Sequence, residues 1–173
     1  MPMSEHNEAW EQRIAAAWAT FDTYGEEQAE EFRALIGELA DELPADSPVA
    51  PFERACAYDS TGHSDKAVPL YQEALARGLT GYRRRRTVIQ LSSSLRNTGR
   101  VEEGIALLTP ELDADPDELD DAVRAVLALC LADAGRAREG VGIAVGALAR
   151  HLPRYQRSMA NYARELTEPG QPE

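Results

Sequence analysis

Phe52-Glu53-Arg54-Ala55-Cys56-Ala57-Tyr58, followed by Gly62, Ala67, Tyr71, Ala74 and Leu75, is the stretch whose reading decides the fold. Its apolar residues recur at three- and four-residue spacing on both sides of the glycine, the period of amphipathic helices. A glycine between two such patterns permits the left-handed backbone that ends a helix and starts a turn. The stretch therefore predicts a helical hairpin.

The same hairpin returns along the chain. Gly25, Gly62, Gly99 and Gly135 stand 37, 37 and 36 residues apart. Seven residues before the last three glycines stands a small residue (Ala55, Ser92, Ala128), and four before, a large one (Tyr58, Leu95, Leu131). Five after stands another small one (Ala67, Gly104, Gly140). Small residues at matched places let the two helices of a hairpin approach closely, while the large ones fill the gap to the next. The copy around Gly25 is degenerate, with Trp18 and Glu30 at the small places. Helical periodicity is still strong there: Trp10, Ile14, Ala17, Trp18 and Phe21, then Phe32, Leu35, Ile36, Leu39 and Leu43. Terminal repeats are expected to be atypical.

This pattern resembles the tetratricopeptide repeat, a helix–turn–helix unit of roughly 34 residues. Residues 84–97 and Leu152-Pro153-Arg154-Tyr155 also resemble a short bacterial branch of that family. The resemblance implies an all-α fold, a right-handed superhelix of tetratricopeptide-like hairpins with about nine helices. Residues 1–47 are expected to form an acidic N-terminal capping hairpin and residues 48–152 three repeats. Residues 153–167 are expected to form a C-terminal capping helix, with Pro153 at its start and Tyr155, Met159, Tyr162, Ala163 and Leu166 as its apolar stripe. A frayed tail is expected over 168–173.

Composition narrows the function. Formal net charge is −12 over 173 residues. Residues 1–60 hold 14 acids against three bases, and the remainder 16 against 15. A surplus of that sign disfavours nucleic acid and anionic membranes. No apolar run approaches the length of a membrane span, and the N-terminus lacks a basic start and apolar run, so a cytoplasmic protein is expected. Cys56 and Cys130 sit in apolar helical patterns and read as buried thiols. No cysteine–histidine cluster is present, so no metal and no cofactor is expected.

A catalytic reading finds little to stand on. His6, His63 and His151 pair by helical spacing with no nucleophile. The acidic run over residues 113–121 lacks the glycine and glutamate that a calcium loop needs, and reads as a helix N-terminus whose acids suit the dipole. Arg83, Arg84, Arg85 and Arg86 splay around a helix at 100° per residue instead of forming one stripe. Arginines near a first turn oppose the dipole, which predicts that they pair with acids or a bound anion. No enzyme is expected.

The resemblance implies a concave groove lined by the first helices of successive hairpins. Arg86, Ile89, Ser93, Arg96 and Asn97 share one helix face by spacing, bordered by Gln90; Arg157, Asn161 and Arg164 form a similar stripe on the closing helix. These donors suit a carboxylate or peptide carbonyls. Family members that clamp the carboxylate-ending tails of chaperones carry lysine, arginine and asparagine where this chain has Phe52, Cys56, Ala125 and Leu129, which argues against such tails. Phe52, Cys56, Ile89 and Leu129 are instead expected to give an apolar floor. The function expected is a protein- or peptide-binding scaffold whose partner is acidic or amphipathic. The alternative is a self-associating module, a homodimer whose groove is filled by its own acidic N-terminal segment.

Overall fold

The computed structural model describes residues 5–168, with side chains from residue 8. Among the described residues there are nine α-helices and no strand. They are α1 (Glu5–Ala19), α2 (Ala29–Asp41), α3 (Val49–Ser60), α4 (Ser64–Ala76), α5 (Gly81–Asn97), α6 (Val101–Leu108), α7 (Asp120–Asp133), α8 (Ala137–Ala149) and α9 (Gln156–Thr167). The tail expected to fray lies, beyond Glu168, outside the described residues. The chain divides between Thr87 and Val88, inside α5, into two compact units.

Gly62, Gly99 and Gly135 all take φ near +80°, closing α3, α5 and α7. There the backbone N–H of His63, Arg100 and Arg136 reaches back to the carbonyls of Tyr58, Leu95 and Leu131. A left-handed residue that turns the chain within two positions is what glycine supplies at low cost. Gly25 corrects the four-fold pattern. Its φ is −80° and its backbone extended, and it leads into a short 3-10 turn, Glu26–Gln28, before α2. Any residue adopts that conformation, so its place in the period is not a left-handed cap.

The paired small residues make the predicted contact. A Cβ placed on Gly104 would lie 3.1 Å from the Ser92 carbonyl oxygen, and one on Gly140 would lie 2.7 Å from that of Ala128. The helices of a hairpin thus pack backbone to backbone at these points. In the first unit, Ala55 and Ala67 occupy the same places and are fully buried. The first core joins Trp10 and Ile14 of α1, Phe32 and Ile36 of α2, and Ala57 of α3. The second joins Ile105 and Leu108 of α6 to Val123, Leu127 and Leu131 of α7.

One boundary differs from the sequence reading. Pro153 does not start α9. The chain turns first at Tyr155 (φ 69°), the N-cap, and the Gln156 side-chain amide donates to the Leu152 carbonyl at 2.8 Å. The acids over residues 113–121 gather at the start of α7. The Leu119 N–H donates to Asp117 at 2.8 Å. Asp121 takes Arg150 and His151 from the end of α8, and both hold its carboxyl below the usual carboxylate range.

Candidate peptide-binding groove

In the first unit the sequence-singled arginines are spoken for. Arg83 lies in the first turn of α5 and grips Glu11 of α1 with both terminal nitrogens, at 2.8 and 2.7 Å. Its Nε also donates to Glu53 of α3 at 3.2 Å. Glu53 is only 3% exposed and accepts a second bond from the Trp18 indole at 2.8 Å. Burial pushes the Glu53 carboxyl above its ordinary value, while Trp18, Arg83 and Arg86 pull it back. The Arg83 guanidinium also lies over the rings of Trp10 and Phe52, 5.9 Å from each centroid. Arg86 covers Phe52 from 5.3 Å. The penalty of cations at a helix start is thus met by the half-buried Glu11, the buried Glu53 and aromatic faces. Arg85 is buried, whereas Arg84 is exposed.

These contacts correct the expected apolar floor. Phe52 and Cys56 are fully buried, leaving Leu129, 50% exposed, and the exposed Ala125 on one face of α7. Of the remaining stripe on α5, Ile89 is buried with Val88 in the second core. Gln90 and Ser93 are half-buried and Asn97 is exposed. Arg96 pairs with Asp133 at 2.6 Å.

The second stripe borders a groove wholly within the second unit. Its volume is about 570 Å3. Gly142, Ile143, Gly146 and Ala147 of α8 form the floor, with Leu112 and Arg124 on one side. Ala160 and the predicted Arg157, Asn161 and Arg164 of α9 stand on the other. α9 sits close because α8 offers glycines: a Cβ on Gly142 would lie 2.9 Å from the Ala163 carbonyl oxygen and from Leu166 Cβ. Arg124 is held at its own helix start, its Nη1 donating to the Asp120 carbonyl at 3.1 Å. Arg164 donates to Asn161. Arg157 is exposed and makes no hydrogen bond or ion pair among the described residues. The groove thus sets guanidinium groups around an apolar floor, a surface that accepts carboxylates at its rim and an aliphatic side chain at its base. Sequence reading missed Leu112, Arg124 and Ile143, which only the packing of three helices brings to Arg157.

Residues 48–166 match the tetratrico peptide repeat family. The chain belongs to the tetratricopeptide repeat family. The match begins just before α3 and runs through α9, leaving α1 and α2 outside it. A likeness to a solved structure shows the same fold. YrrB, described as a TPR protein with an unusual peptide-binding site, superposes with a TM-score of 0.55 at 16% identity, over 94% of this chain and 92% of its own. A search of curated proteins returned no match. As a tetratricopeptide repeat protein, the chain is a scaffold for protein interaction in the general sense of its family. Among the described residues, no helix is long and apolar enough to cross a membrane. Nor does any group of three or more histidine, cysteine, aspartate or glutamate residues stand ready to hold a metal ion.

Proposed function

We propose that this tetratricopeptide repeat protein is a non-catalytic cytoplasmic adaptor that takes a short acidic, amphipathic peptide into the groove between α7, α8 and α9. The observation that carries the reading is Arg157, unpaired beside Arg164 and Asn161, above an uncharged floor of Ile143 and Ala147 with Leu112 at its side. An unpaired arginine gains a charge-assisted bond from an incoming carboxylate without giving one up, and the floor offers burial to one apolar side chain. On α5, Arg96 and Asn97 would extend the donor surface, with Arg96 exchanging Asp133 for a ligand carboxylate. Arg86, Ile89, Gln90 and Ser93 contribute by shaping that helix. The test is selection from a displayed random-peptide library on wild type and on Arg157→Glu/Arg164→Glu. Wild type should enrich sequences carrying Asp or Glu beside an apolar residue, and the variant should lose them. Two charge-assisted bonds at about 1.5 kcal/mol each amount to roughly a 100-fold loss of affinity. Equal enrichment on both proteins refutes the groove.

A second reading is self-association, with the groove of one copy filled by the acidic N-terminal segment of another. It is favoured by Glu26, Glu27 and Glu30, which are exposed and without ion-pair partners among the described residues. In sedimentation runs it predicts association that truncation before Pro48 abolishes and that added salt weakens.

A further inference from the structure

Counting from the glycine that opens each second helix exposes an exception in α8. The sixth and ninth residues after Gly62 are Val68 and Tyr71, and after Gly99 they are Ile105 and Leu108; all four are buried. In the second unit it is the next helix that covers them, since Ile105 and Leu108 share a core with Val123, Leu127 and Leu131 of α7. The corresponding residues after Gly135 are Val141, 52% exposed, and Ala144, also exposed. Leu148, thirteen after the glycine, is 55% exposed. α9 does not cover this face, because it packs on Gly142 and Gly146 instead.

The face has a definite pattern. Ala137, Val141, Ala144 and Leu148 are exposed and follow one another at spacings of four, three and four. That is the narrow two-in-seven seam of paired helices, not the wide stripe of a helix packed on a domain. No ionisable residue interrupts α8 from Gly140 to its end at Ala149. A surface helix that is apolar all round is expected to be covered.

We propose that this seam pairs with the same seam of a second copy, α8 against α8, antiparallel about a two-fold axis between residues 142 and 143. Two observations select a second copy. In that register Val141 meets the other chain's Ala144, and Ala137 meets its Leu148. Each large residue thus faces a small one, and the seam is self-complementary, as a two-fold interface requires. Charge is the second. A hetero-partner is chosen by salt bridges beside the seam, yet of the flanking positions Arg138, Gly140, Val145 and Ala147 only one carries charge. Antiparallel pairing sets Arg138 over the other copy's Val145 and away from its Arg138. With −12 on each chain, this uncharged strip is a place where two copies meet with little local repulsion. One helix seam buries well under the roughly 800 Å2 per partner of a stable complex. The dimer is therefore weak and reversible, and salt strengthens it by screening the net charge. The seam meets the groove at Ala147, and the groove residues of α9 take no part in it.

The test is sedimentation of the full chain up to about 1 mM at low and high salt, beside Leu148→Glu and Arg157→Glu, each checked for helix content by circular dichroism. Wild type and Arg157→Glu should dimerise, more strongly in high salt, and Leu148→Glu should associate at least roughly tenfold more weakly. Oxidation of mixed Val141→Cys and Ala144→Cys chains should give mainly the mixed disulfide. A wild type that stays monomeric, an unaffected Leu148→Glu, association that salt weakens, or dominance of the symmetric disulfides would each overturn the proposal. Because Arg157→Glu leaves the seam intact, failure of the groove and failure of the dimer are read separately.

Discussion

Replacing Arg83 by methionine removes one cation and leaves two carboxylates behind. Glu11 is partly exposed and re-solvates, but Glu53, 3% exposed, keeps only the Trp18 indole as a donor. Breaking a buried pair from one side costs about 3–5 kcal/mol. The Arg83 side chain is itself one quarter exposed, which reduces the figure to about 2–3 kcal/mol once solvent screening is allowed for. For a chain of this length that is a fall in Tm of roughly 5–10 °C. Trp10 and Trp18 both lie in the first unit and are the chain's two tryptophans, so their fluorescence follows unfolding of the unit concerned. The double variant Arg83→Met/Glu53→Gln removes the stranded charge and should recover more than half of the loss. The pH dependence has a definite sign. Burial raises the Glu53 carboxyl above its unfolded value, so its contribution is fully present below the unfolded value and is lost as pH rises through the folded one. Arg83 is one of the groups pulling that value down. Arg83→Met should therefore regain stability as pH falls from neutrality toward the ordinary carboxylate range, and Arg83→Met/Glu53→Gln should not. A single variant within about 0.5 kcal/mol of wild type, or a double variant no better than the single, refutes the reasoning.

Gly25→Ala should be neutral or stabilise by up to about 1 kcal/mol, whereas Gly62→Ala, at φ +80°, should cost about 1–2 kcal/mol; urea denaturation compares them directly. Gly140→Ala drives a methyl to 2.7 Å from the Ala128 carbonyl oxygen and should cost about 1–3 kcal/mol. Gly104→Ala, at 3.1 Å from Ser92, should come close to neutral as a helix-propensity gain of about 1 kcal/mol offsets the strain. Asp121→Asn should shift the acid limb of a pH denaturation curve. Arg150 and His151 depress the Asp121 carboxyl, so that its stabilisation is present above the unfolded value and is lost as pH falls through the folded one.

What was legible in the sequence was whatever repeats at short range. The left-handed turns at Gly62, Gly99 and Gly135 follow from spacing, as do the Ser92–Gly104 and Ala128–Gly140 contacts, because a residue twelve positions away sits opposite in a short hairpin. The sequence calls for an acid or a bound anion at Arg83, but does not say which: Glu11 lies 72 residues away, and no periodicity connects them. Gly25 kept the period and not the conformation, since a 3-10 turn there needs no left-handed residue. The docking of α9 was hidden for a different reason. Gly142 and Gly146 read as weak helix formers on an apolar helix, and only the helix against them shows that they are a landing strip. That placement turns Arg157, Asn161 and Arg164 from a stripe into the wall of a groove, and leaves Val141 and Leu148 uncovered.

The central claim is that the groove on the second unit binds acidic peptide. An NMR titration of the full chain with a library-selected acidic peptide tests it most directly. The account predicts shifts concentrated at Arg124, Ile143, Arg157, Asn161 and Arg164, weakening as salt is raised, with the indole signals of Trp10 and Trp18 unmoved. Shifts centred on the first unit, or binding that Arg157→Glu/Arg164→Glu leaves unchanged, would contradict it.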